Sequence, residues 1–232
     1  MTIKKIRRDL VWSLVAALVT MSGPLFAGSE DGTTRIGIML FDGVLTSDIV
    51  APMEVFGGAI ASGEVENYEV ITVGREAGTV TTQEGVTLTA EYSIDNAPQL
   101  DVLIVGSRYG MDPILEDDAF MKFIRERGAE ADWLASNCSG AYILAEAGFL
   151  DGRKATTYPG GEVWLKLNHP AIDIEINQTV VVVDSNIVTS NGSLVSYEAA
   201  LELLGLMAGD DAAKEIADLT YFNRLLERGA TR

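Results

Sequence analysis

Cys138 is the single cysteine of a 232-residue chain, and it stands in Asn137-Cys138-Ser139-Gly140 between an apolar run and an amphipathic one. Asp132 to Ser136 reads as a strand, and Ser139 to Ala147 as the helix that follows. A thiol at such a turn faces the unpaired N–H groups and the positive end of the helix. Both stabilise a thiolate, so a lowered pKa is expected. Ser136, Ser139 and Gly140 are small, as a tight nucleophile elbow requires. The competing reading is a small buried hydrophobe, since free cysteine is among the most buried residue types. The chain also has one histidine, His169, before Pro170 in an expected surface loop. One Cys and one His leave no Cys/His zinc set, and no intramolecular disulfide can form.

The elements that must position this thiol are legible around it. Arg35 to Phe41 reads as a buried strand ended by Asp42-Gly43, and Thr46 to Gly63 as a helix with Thr46, Ser47 and Asp48 as cap candidates. Tyr68 to Val73 is a second strand, and Val80 to Ala90 alternates like a hairpin turning at Glu84-Gly85. Asp101 to Val105 is a continuous apolar strand running into Gly106-Ser107, and one helix is expected over Pro113 to Gly128. After Gly160 come a short helical stretch, strands at Thr179 to Val183 and Asn186 to Thr189, and two C-terminal helices. Apolar strands alternating with amphipathic helices predict an α/β fold of one domain, a mostly parallel sheet covered on both faces. In such sheets ligands bind at the carboxyl ends of the strands, where Cys138 is expected.

Composition narrows the function. Hydrophobic residues make up 47% and charged residues 22%, as in a core-forming globular protein. Seventeen basic against 34 acidic residues give a net charge of -17, which repels nucleic-acid phosphates and anionic lipid heads. At the N-terminus Lys4, Lys5, Arg7 and Arg8 form a basic head before an apolar run from Leu10 to Ala27 that closes on Gly23-Pro24-Leu25-Phe26-Ala27. This is the layout of a secretory signal peptide over 1–27, followed by a polar linker over 28–34 and the domain over 35–232. The competing reading is an uncleaved anchor, for which a run of about 18 residues is at the lower limit. Arg7-Arg8 also fits a twin-arginine signal. Cleavage after Ala27 removes four basic residues and one acidic one, leaving 13 against 33 and a mature charge of -20. A periplasmic or secreted protein is expected, with no stable membrane insertion after cleavage.

Three blocks carry a family resemblance. Asn137 to Tyr158 resembles the nucleophile-elbow block of the ThiJ/PfpI superfamily, whose flavodoxin-like doubly wound fold is shared with class I glutamine amidotransferase domains. Ile36 to Phe56 resembles its first strand and helix, and Val182 to Leu201 its late strand pair and helix. Peptidase-like and glyoxalase-like members carry a histidine directly after the cysteine or at the end of an Ala-Thr-Thr-His run, whereas this chain has Ser139 and Tyr158 there. The pattern is closer to the isonitrile hydratase branch. The resemblance implies a catalytic set of Cys138, Asp48 and Ser139, although threonine is the more usual residue after the cysteine. It also implies a small-molecule substrate, a homodimer, and no cofactor. A thiolate adds to the terminal isonitrile carbon, a carboxylic acid with a raised pKa supplies the proton, and water releases an N-formamide.

Two departures from the family pattern mark the substrate side. The usual Pro-Gly-Gly after the third strand is Gly106-Ser107-Arg108, where the Ser107 N–H would join that of Ser139 against a developing anion and Arg108 adds bulk and positive charge. Tyr158 in place of histidine either bonds a ligand or packs. Gly106, Ser107, Arg108 and Tyr158 are thus the substrate-binding candidates. Asp48 keeps the alternative of a helix cap. Glu54 is a secondary acid candidate, expected in a structural hydrogen bond. Two other functions compete with a cysteine-dependent hydro-lyase or hydrolase. One is an exported thiol redox or small-ligand sensor, since sensory domains of DNA-binding regulators resemble this chain too. The other is a deglycase or glyoxalase-like stress protein, disfavoured by the missing histidines.

Overall fold

A computed structural model describes residues 32–174 and 179–230. The expected signal segment over 1–27, and residues 28–31 of the linker, lie outside the described residues. The first strand, β1 (Thr34–Leu40), takes in the end of that linker and is followed by helix α1 (Thr46–Ser62) and β2 (Tyr68–Gly74). Next come β3 (Gly78–Thr81), β4 (Thr87–Ala90), β5 (Tyr92–Ser93), β6 (Val102–Val105), α2 (Asp112–Leu115), α3 (Asp118–Glu130), β7 (Trp133–Asn137) and α4 (Gly140–Glu146). The remainder is β8 (Lys154–Ala155), α5 (Glu162–Asn168), β9 (Asp173–Ile174), β10 (Val181–Asp184), β11 (Ile187–Ser190), α6 (Val195–Ala208), α7 (Asp210–Leu219) and α8 (Phe222–Ala230).

Seven strands form the main sheet in the order β10-β11-β7-β6-β1-β2-β5, and all pairings but β10 with β11 are parallel. Strands β6 and β11 are buried along their whole length, which explains their unbroken apolar or small-residue runs. Helices α1, α6 and α7 pack together, and α2, α3 and α4 form a second group. The sheet is therefore covered in the doubly wound manner expected. The chain reverses direction across the sheet between β1 and β6, so the crevice at their carboxyl ends is the switch point of the fold.

Two local expectations are corrected. The helix expected over Pro113 to Gly128 is two helices, because Asp117 leaves helical geometry and its Oδ1 accepts from the N–H groups of Ala119 (3.1 Å) and Phe120 (3.0 Å), starting α3 afresh. Among the described residues the C-terminal helices number three, with Tyr221 at φ 58° breaking α7 from α8. The expected hairpin forms from β3 and β4 as a separate two-stranded sheet, and Thr82 and Glu84 in its turn reach back to Thr46.

Candidate active site

Loops leaving β1, β6 and β7 bring Asp48, Ser107 and Cys138 to one place. Cys138 has φ 56°, a left-handed conformation that costs a non-glycine residue about 1–3 kcal/mol unless its surroundings impose it. They do. Its N–H donates to Ser190 O (3.0 Å), and its carbonyl accepts from Thr157 Oγ1 (2.7 Å). Two glycines make room for the turn. A Cβ on Gly140 would lie 2.5 Å from Val105 O, and one on Gly192 would run into the Cys138 Cβ and backbone. The elbow is thus clamped between the end of β6 and the loop after β11. Below it, Ser190 Oγ donates to Asn137 Oδ1 (2.6 Å), and Asn137 Nδ2 donates to Asp48 O (2.9 Å).

Asp48 does not cap its helix. The residue before α1 is Leu45, no side chain caps that end, and the Thr46 N–H is met by Glu84. The Asp48 side chain is fully buried and gathers four donors from three segments. Ser107 N (3.2 Å) and Ser107 Oγ (2.5 Å) donate to Oδ2, while Ser193 N (2.9 Å) and Ser196 Oγ (3.1 Å) donate to Oδ1. Burial pushes its carboxyl pKa up, and the bonds from Ser107, Ser193 and Ser196 offset only part of that. Burial likewise pushes the Cys138 thiol up. The Ser107 hydroxyl opposes this, the Asp48 charge adds to it, and the Ser139 N–H and hydroxyl oppose it.

The lowered thiol expected at this turn is therefore not found. Helix α4 is only two turns long, and burial of the thiol, with the Asp48 charge adding to it, raises the pKa at this turn. The Asp48 charge disfavours a thiolate at the half-buried Cys138, and the Ser107 hydroxyl that donates to Asp48 also acts on the thiol. With Asp48 charged, Ser107 donates to Oδ2 and the thiol keeps its proton. Moving one proton from Sγ to Ser107 Oγ, and the Ser107 proton to Oδ2, gives a thiolate beside a neutral carboxylic acid.

The other candidates fall on both sides of this core. Ser139 is buried, lines the cavity above Cys138, and its hydroxyl donates weakly to Arg108 O (3.4 Å). Ser107 also lines the cavity, but its N–H is committed to Asp48 and does not stand free beside that of Ser139 as expected. Arg108 and Tyr158 line the cavity, which has a volume of about 330 Å³. Gly106 does not. It packs β6 on α1, where a Cβ would lie 2.8 Å from Ile49 Cδ1. Glu54 also stays outside, accepting from Tyr197 Oη (2.5 Å) on an exposed part of α1. His169 is no surface residue. It caps the C-terminal end of α5, lies tilted at 48° against Trp164 (5.7 Å between centroids), and does not line the cavity.

Of the aromatic wall, Tyr158 was singled out from sequence, but Tyr142 and Trp164 were missed. Trp164 stacks on Tyr142 at 4.1 Å, and the Tyr142 hydroxyl lies 3.2 Å from both Tyr158 Oη and Gly161 O. Tyr142 sits three residues past Ser139, one helical turn along the same face, which is the signal that points to it. Ser193 and Ser196 were not singled out either.

The DJ-1/PfpI family model matches residues 34–206, and the chain belongs to that family. It is 29% identical over 180 residues to the isonitrile hydratase of Pseudomonas putida, a match covering 78% of this chain and 75% of the hydratase. It is 31% identical over 144 residues to a deglycase of Pyrococcus horikoshii, covering 61% of this chain and 84% of that enzyme. Among solved structures, a ThiJ/PfpI family protein from Pseudomonas syringae superposes with a TM-score of 0.72 at 22% identity, over 90% of this chain and 84% of the other.

Proposed function

We propose that the protein is an exported, cysteine-dependent enzyme of the isonitrile hydratase type, acting as a homodimer on a small molecule without a cofactor. The observation that carries this reading is the Asp48–Ser107–Cys138 arrangement, which supplies a nucleophile and a buried acid without a histidine. The similarity to isonitrile hydratase and the basic head and apolar run of 1–27 support it. Cys138 gives its proton through Ser107 to Asp48, and Sγ forms a bond to the terminal isonitrile carbon. The proton held at Oδ2 returns to that carbon, giving a thioimidate. Water then adds across the C=N bond, the C–S bond breaks, and an N-formamide leaves as the thiol is restored. Ser139 steadies Sγ through its N–H. A deglycase reading fits less well, because His169, the only histidine, stands outside the cavity.

The test is steady-state release of an N-formamide from simple alkyl isonitriles by the mature chain. Release that disappears in Cys138→Ala supports the proposal. Saturable binding without release by the native chain would instead make it a small-ligand sensor.

A further inference from the structure

Arg108 follows Ser107 directly, and its backbone is fixed by a bridge to Val44 and by the Ser139 hydroxyl. Its side chain lies over Gly43, where a Cβ would stand in ordinary contact, 3.5 Å from Nε and 3.6 Å from Nη2. Nε is shielded from solvent without a hydrogen-bond partner, and the guanidinium makes no ion pair among the described residues. Arg35, Arg75, Arg127 and Arg153 each reach a carboxylate between 3.1 and 3.3 Å away. Arg125 and Arg224, which also reach no carboxylate among the described residues, are exposed, whereas Arg108 is half-buried at the wall of the Cys138 cavity in a chain of net charge -17. A buried N–H without an acceptor is costly, and a guanidinium offers parallel donors that match a carboxylate.

We infer that the cavity takes a ligand bearing a carboxylate, held by Arg108 with its reacting carbon toward Cys138 and its apolar part against Tyr142, Tyr158 and Trp164. This rests on the reading of Cys138 as a nucleophile and adds the class of substrate. Asp112 also lines the cavity, but it is exposed, forms no ion pair with Arg108, and so leaves the guanidinium free for the ligand.

The experiment compares alkylation of Cys138 by iodoacetate and by iodoacetamide, which differ only in carboxylate against amide. The ratio of the two rates cancels the thiolate fraction, and the iodoacetamide rate reports an intact fold. In the native chain this ratio is expected to exceed that of Arg108→Met by about tenfold. Arg108→Lys falls between, and Asp112→Asn raises the ratio. Equal ratios in the native chain and Arg108→Met overturn the inference. If neither reagent modifies Cys138, the nucleophile reading fails, and tryptophan fluorescence with benzoate and benzamide decides the carboxylate site. Benzoate binding tighter than benzamide, and lost in Arg108→Met, supports it. Equal binding of the two overturns it.

Discussion

Ser107→Ala separates a proton relay from a merely well-packed acid. Ser107 is fully buried, and alanine keeps its backbone N–H on Asp48 Oδ2 while deleting only the hydroxyl. Of four donors to the carboxylate three remain, so the fold should survive. The lost bond, made to a charged group, is worth about 1.5–3 kcal/mol. That is the expected drop in stability by urea unfolding. Turnover should suffer separately. If the hydroxyl carries the proton between Sγ and Oδ2, its removal should lower kcat for formamide release on the order of 10²–10⁴-fold. KM should change little, since the hydroxyl serves the reacting atoms more than the bound ligand. The assay is initial-rate formamide release at saturating isonitrile, alongside the urea midpoint. A variant destabilised as expected but turning over within roughly twofold of the native rate would refute the relay and leave Ser107 a structural hydrogen bond.

Three further outcomes follow from the same geometry. Burial holds the folded pKa of Asp48 above its ordinary 3.8, so as pH rises from that value the folded state keeps a proton the unfolded chain has lost. Stability therefore falls through that window, and the difference between native protein and Asp48→Asn in urea midpoint should shrink as pH rises. A pH-independent difference contradicts the raised pKa. Gly192→Ala should cost about 2–5 kcal/mol and misplace the thiol, because a Cβ there meets the Cys138 Cβ at a glycine with φ 79°. Unchanged melting and alkylation would contradict this. Tyr158→Phe removes one partner of the Tyr142 hydroxyl but leaves Gly161 O, so stability should stay within about 1 kcal/mol while KM for isonitriles shifts.

Most of the fold is written locally. The buried strands β6 and β7 announce themselves as apolar runs, and the turn at Cys138 is marked by the small residues that flank it. The break at Asp117 went unseen because the apolar periodicity runs on across it, and only the capping geometry stops α2. At the site, Cys138 and Asp48 were legible from type and motif, but their electrostatics were not. Ser193 lies 145 positions from Asp48, and no local pattern says that its N–H will meet that carboxylate. A separation of 59 positions likewise hides that Ser107 spends its N–H on Asp48. The thiol is raised because burial and a carboxylate converge on it, and both are products of tertiary packing.

The central claim is that Asp48 and Cys138 share a proton through Ser107. Its most direct test is the rate of Cys138 alkylation by iodoacetamide against pH in the native chain, Asp48→Asn and Ser107→Ala. The native midpoint should lie above that of an ordinary cysteine. Removing the Asp48 charge should lower it, and removing the Ser107 hydroxyl should raise it further. Midpoints that coincide in all three proteins would contradict the account.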